Sequence, residues 1–120
     1  MKVLIIEDNK DMREVLTKFL ALPNVATETA RDGETAVGKI ENGYQPNLVL
    51  LDLHLPGMGG EEVFQILREK TRTKIAVITV DDMAAPQFVE KADAVFTKPF
   101  STTELLVKIT SIVLAAGESG

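Results

Sequence analysis

Three acids, a hydroxyl and an ammonium stand at or just past the ends of four apolar runs in this 120-residue chain. Glu7 and Asp8 follow Val3-Leu4-Ile5-Ile6, and Asp52 follows Leu48-Val49-Leu50-Leu51. Thr79 follows Ile75-Ala76-Val77-Ile78, and Lys98 comes shortly after Ala94-Val95-Phe96. Singly, each has an ordinary role. Acids often favour the start of a helix, an Asp can cap a turn, a Thr can bond local backbone, and a loop lysine is solvated. Gathered at one place, they make a site. Three crowded carboxylates repel, so one is driven to protonate unless a cation is shared. Oxygen ligands that leave positions open for water and a phosphate oxygen suit Mg²⁺. A hydroxyl and an ammonium are the neutralising partners that a phosphoryl group on a carboxylate needs.

The elements that must position these groups alternate in type. Continuous apolar runs at residues 3–6, 48–51 and 75–78 read as strands buried on both faces. The run Val25-Ala26-Thr27-Glu28-Thr29-Ala30 is only weakly apolar and reads as an edge strand, and Ala94-Val95-Phe96 reads as a short fifth strand. Between them, Asn9 is a good N-cap before Met12, Val15, Leu16, Phe19 and Leu20, which recur at helical spacing until Pro23. Ala36, Val37 and Ile40 mark a second helix ending near Asn42-Gly43, and Val63, Ile66 and Leu67 mark a third. Residues 80–92 are thinly patterned, and Pro86 opens at most a short helix through Phe88 and Val89. Ser101-Thr102-Thr103-Glu104 is a capping box before the amphipathic set Leu105, Ile109, Ile112 and Val113. Strands alternating with helices predict an α/β fold, a single doubly wound five-stranded parallel sheet with helices on both faces. With the weak strand second, the expected order is the flavodoxin-like 2-1-3-4-5. That order carries Glu7, Asp8, Asp52, Thr79 and Lys98 to one rim, at the switch point between the first and third strands.

Composition narrows the function. The chain is 45% hydrophobic, ordinary for a folded domain, and carries thirteen basic against eighteen acidic residues for a net charge of -5. That balance argues against a nucleic-acid surface and against a polybasic membrane patch. Without cysteine there is no disulfide frame and no thiolate metal site. The first residues enter a strand with no signal peptide, and no apolar run reaches spanning length, so a cytoplasmic domain is expected. The expected boundaries are one domain over residues 1–116, with 117–120 a tail or the start of a linker.

Taken together, Glu7-Asp8, the block Asp52-Leu53-His54-Leu55-Pro56-Gly57-Met58-Gly59-Gly60, Thr79 and Lys98-Pro99-Phe100 resemble the receiver domain of two-component response regulators, the CheY-like superfamily. The resemblance covers nearly the whole chain. It implies that Asp52 is the phosphoacceptor, supplied by a sensor histidine kinase or phosphotransfer protein. It further implies that Asp8 and Asp52 ligate Mg²⁺, that Glu7 helps through water, and that the His54 backbone carbonyl is a further ligand. Thr79 would hydrogen-bond the phosphoryl group, Lys98 would pair with it, and the Lys98-Pro99 bond would be cis. The chain would be a switch that catalyses only its own phosphorylation and dephosphorylation. A downstream effector or a second copy would meet the face formed by the segment after the fourth strand, the fifth strand and the last helix.

The chain departs from the pattern in places. Val80 stands where the family has Ala or Gly, which narrows access to Asp52. Val95 stands where it has an aromatic switch residue, and Phe96 is expected on the opposite strand face. The Asp52–Thr79 and Thr79–Lys98 intervals are both short. His54, the lone histidine, reads as a rim residue by its ring, since one imidazole has no partner ligands. Two readings from other classes stand beside the switch. One is a degenerate, phosphorylation-independent receiver acting as an interaction module. The other is a Mg²⁺-dependent phosphatase with an Asp nucleophile, against which stand His54 in place of its second Asp and the lack of room for a cap.

Overall fold

In the computed structural model, which describes residues 1–80 and 90–118 and side chains as far as residue 112, the apolar runs become the strands of one parallel sheet. These are β1 (Lys2–Ile6), β2 (Ala26–Ala30), β3 (Leu48–Asp52), β4 (Lys74–Thr79) and β5 (Ala94–Thr97). Their order is β2-β1-β3-β4-β5, as expected from the sequence. All five residues of β3 are buried, whereas β2 at the edge buries fully only Ala30, which is why its sequence is weakly apolar.

Four helices are described: α1 (Lys10–Phe19), α2 (Gly33–Glu41), α3 (Gly60–Lys70) and α4 (Thr102–Glu118). The short helix expected around Pro86, Phe88 and Val89 lies outside the described residues. Strand alternation divides the core in two. Leu4, Ile6, Val49, Leu51, Ile75 and Val77 face α2 and α3, where Ala36, Val63, Phe64 and Leu67 meet them. Val3, Ile5, Leu48, Leu50, Ala76, Ile78 and Phe96 face α1 and α4, meeting Leu16, Leu20, Leu105 and Ile109. Each fully buried Leu or Ile contributes about 1.5–3 kcal/mol, so the two layers supply most of the stabilisation.

The helix starts follow local chemistry. The Asn9 side chain accepts from the Met12 N–H at 2.9 Å, Asp32 Oδ1 accepts from the Thr35 N–H at 2.8 Å, and Ser101 Oγ accepts from the Glu104 N–H at 3.0 Å. At the other ends, α1 stops at Phe19 with Leu20 as its C-cap, before Pro23 is reached. The backbone of α4 runs to Glu118.

The start of α3 sits hard against the strand it follows. A Cβ at Gly60 would stand 2.4 Å from the Leu53 Cα and 2.7 Å from the Leu53 carbonyl oxygen, backbone atoms that cannot rotate away. Gly38, inside α2, has nothing within 4 Å of its missing Cβ. We therefore expect opposite outcomes from the same substitution. Gly60→Ala should destabilise by about 1–3 kcal/mol through overpacking, and Gly38→Ala should stabilise by about 0.5–1 kcal/mol through helix propensity. Urea unfolding midpoints of the two variants check this.

Candidate functional site: an acid cluster at the carboxyl edge of the sheet

β1 and β3 are neighbours, yet the chain leaves β1 for α1 on one face and leaves β3 for α3 on the other. A crevice opens between the two departing connections. Glu7 sits just beyond β1, its N–H donating to the Ala30 carbonyl at 3.0 Å, and Asp52 ends β3. Both are buried, at 2% and 3% exposure, while Asp8 faces solvent. Carboxylate oxygens of Glu7, Asp8 and Asp52 lie within 4.8 Å of one another.

The other two strand ends arrive at the same rim. Thr79 closes β4 and is buried, and its carbonyl accepts from the Lys98 N–H at 2.8 Å, which ties the exit of β5 to the site. Lys98 Nζ lies 3.3 Å from Asp52 Oδ2 and 3.6 Å from Glu7 Oε1. The Lys98-Pro99 peptide bond is cis. His54 is exposed at the rim, and its backbone N–H donates to Asp52 Oδ1 at 2.7 Å. All the residues read from the sequence as one cluster are thus brought to one edge.

Electrostatics single out Glu7. Burial, followed by the hydrogen bond to Asp52 and repulsion from it, pushes its carboxyl up from 4.5 to about 7, against the pull of the Asn9 N–H and the Lys98 ammonium. Its Oε1 is buried without a hydrogen-bond partner. A buried oxygen without a donor is costly. Three convergent carboxylates, one with an orphaned oxygen and one open to solvent, fit a hard divalent cation and offer no soft ligand.

Two residues that hold the site in place were not legible as functional. Arg13 Nη1 donates to both the Glu7 and Asp8 carbonyls at 2.9 Å, clamping the turn that carries the acids. Glu34, in the first turn of α2, accepts from the Met58 N–H at 2.7 Å across 24 positions of chain. In sequence both look like solvated helix charges. Only the spacing of Arg13 from the acid pair, about one and a half helical turns, carried a signal. Of the residues at which the sequence departs from the receiver pattern, Val80 is 55% exposed, and Val95 is half-buried on the α2/α3 side. Phe96 is buried on the opposite face, as expected.

The response regulator receiver domain family matches residues 3–110. The chain belongs to that family. It is 32% identical over 122 residues to the transcriptional regulatory protein ResD of Bacillus subtilis, covering 98% of this chain and 50% of that protein. The chain therefore spans about half the length of this curated relative. Among solved structures it resembles a CheY-like receiver domain protein from Methanospirillum hungatei, with TM-score 0.86, 25% identity, and coverage of 99% of this chain and 98% of that one. It also resembles the response regulator TrrA from Thermotoga maritima, solved in complex with Mg²⁺-BeF, with TM-score 0.82, 30% identity, and coverage of 92% and 97%. The receiver fold expected from the sequence is therefore the fold observed, and no described helix is long and apolar enough to cross a membrane.

The raised Glu7 carboxyl has a consequence for stability. A carboxyl that holds its proton more tightly when folded adds most to stability below about pH 4.5, and that contribution is lost as pH rises toward about 7. In the absence of divalent cations, Glu7→Gln should be more stable than the native chain at pH 8, by up to about 3 kcal/mol. The difference should shrink strongly at pH 5. Urea unfolding in chelator at the two pH values reads the slope.

Proposed function

We propose that this receiver is a phosphorylation-controlled switch in which Asp52 accepts a phosphoryl group from a phosphohistidine on a sensor kinase or phosphotransfer protein. The observation that carries the reading is the geometry at Asp52: one carboxylate oxygen 3.3 Å from the Lys98 ammonium, with the Glu7 and Asp8 carboxylates beside it. In this reading an Asp52 oxygen attacks phosphorus, a P–O bond forms, the P–N bond to the donor imidazole breaks, and the imidazole leaves as it takes a proton. Lys98 follows the charge to the phosphoryl oxygens, and the Thr79 hydroxyl donates to one of them. In the reverse phase a water oxygen attacks phosphorus, the acyl P–O bond breaks, and Asp52 returns as a carboxylate. The chain is consumed and restored, so it acts as a switch rather than a turnover enzyme.

Asp8, Asp52 and the His54 carbonyl would hold Mg²⁺, with Glu7 acting through water. Bound there, it neutralises the acids and the incoming phosphate oxygens. Support comes from the orphaned Glu7 Oε1 and from the Mg²⁺-BeF complex of a relative that is 30% identical. An open apolar groove of about 570 Å³ runs along α1 to the site, lined by Met12, Val15, Phe19, Val80, Pro99 and Phe100, with Lys98 beside them. We assign it to the phosphodonor partner, because its lining includes Lys98, whose ammonium lies 3.3 Å from Asp52. It also accounts for Val15, which the helical periodicity puts with the core and which is 40% exposed. The output lies with a downstream effector or a second copy meeting β5 and α4, and the setting is cytoplasmic.

Incubation with Mg²⁺ and a small phosphodonor should add one phosphate mass that hydroxylamine removes, as for an acylphosphate. Asp52→Asn should stay unlabelled, and chelator should suppress labelling of the native chain. Equal labelling of the variant would end this reading. Val80 borders the donor route and carries two methyl groups more than alanine, so Val80→Ala should speed labelling by small donors and speed dephosphorylation. Single-exponential rates from intact mass or phosphate release measure both.

A further inference from the structure

The stretch between Asp52 and α3 carries His54, whose carbonyl the reading above gives to the cation, and the structure shows what holds its far end. The Glu34 carboxylate, on α2, accepts from the Met58 N–H at 2.7 Å. A charge-assisted bond of that length is among the stronger kinds. Two further observations place α2 against the same stretch. Gly57 has φ of +69°, and its missing Cβ would lie 3.0 Å from Glu34 Oε1, so the carboxylate reaches the backbone where a glycine leaves room. At Gly33 a Cβ would stand 2.4 Å from Val63 Cγ2 and 3.3 Å from both the Met58 Cβ and the Met58 carbonyl oxygen. The start of α2 is therefore packed on Met58, and Glu34 fastens the contact. At the near end, the Leu53 N–H donates to the Ile78 carbonyl at 2.9 Å and the His54 N–H donates to Asp52 Oδ1 at 2.7 Å. His54 lies between these two attachments.

We propose that Glu34 is a positioning residue for the receiver site. By gripping the Met58 N–H it fixes the far end of the loop and thereby the place of the His54 carbonyl relative to Asp52 and Asp8. The inference rests on the reading of Asp52, Asp8 and the His54 carbonyl as cation ligands. Removing a group that orients a metal ligand from behind commonly costs about 10–100-fold in metal affinity. What matters is the acceptor oxygen at Met58, so glutamine, whose amide oxygen can accept the same bond, should serve in its place. Alanine should not.

The test is a Mg²⁺ titration of the full chain followed by backbone amide shifts, in the native protein, Glu34→Gln and Glu34→Ala. Without Mg²⁺, the Met58 amide of Glu34→Ala should shift and exchange its hydrogen faster, while signals from β1 and β4 report an intact fold. With Mg²⁺, Glu34→Ala should bind about tenfold more weakly, and Glu34→Gln should bind within about twofold of the native chain. Undiminished Mg²⁺ affinity in Glu34→Ala overturns the proposal while leaving the receiver reading standing. Equal weakening in Glu34→Gln and Glu34→Ala assigns the effect to charge and overturns it as well. A native chain that gives no Mg²⁺ response at all overturns the receiver reading and this inference together.

Discussion

Two carboxyl groups, Glu7 and Asp52, are buried beside each other with one ammonium within 4 Å of both. Carboxylates in such a place are unfavourable unless paired, bonded or neutralised. Each escape is partly used. Asp52 has Lys98 and the His54 N–H, and Glu7 has the Asn9 N–H and a raised affinity for its proton, while Glu7 Oε1 has the Lys98 ammonium at 3.6 Å and no hydrogen-bond donor. The crevice is therefore electrostatically strained, and the charge balance within it is finely set. An acid cluster that destabilises the fold when alone is one that responds to charge arriving next to it.

The rest of the molecule makes that arrangement tolerable. A parallel sheet with both faces covered places four strand ends on one edge and makes them hard to move, since each inner strand is fixed in register by two neighbours and by side chains in two separate core layers. The Lys98 N–H bond to the Thr79 carbonyl extends that register into the loop that carries the ammonium. Just before β5, Asp93 accepts from the Ile75 N–H at 2.8 Å and pairs with Arg68 of α3 at 3.1 Å, so the entry to the last strand is held from the sheet and from a helix at once. Rigid elements set the positions, and the loops above them are held by helix-borne charges such as Arg13 and Glu34.

At β5 the two neighbouring apolar residues have different surroundings. Alternation sends Phe96 into the core beneath α4 and leaves Val95 half-buried on the other side. A valine has one stiff torsion and little area to exchange between two positions. Little buried area could therefore be exchanged through that side chain, whatever state Asp52 is in.

The sequence alone determined much here, for a physical reason: burial on two faces forces continuous apolar runs, so β1, β3 and β4 announced themselves, and a polar residue ending each run could only be an edge residue. From that followed the strand order, the weak edge strand and the convergence of Glu7, Asp8, Asp52, Thr79 and Lys98, and local residue chemistry added the caps at Asn9 and Ser101. What the sequence could not contain was any contact made by a charged side chain at a distance. Arg13 and Glu34 satisfy helix periodicity as solvent-facing charges, and Val15 satisfies it as a core residue. Only the packing of helices on the sheet decided that Arg13 and Glu34 grip loops and that Val15 lines a groove. The raised Glu7 carboxyl belongs to the same class, because desolvation depends on what surrounds an atom and not on its neighbours along the chain.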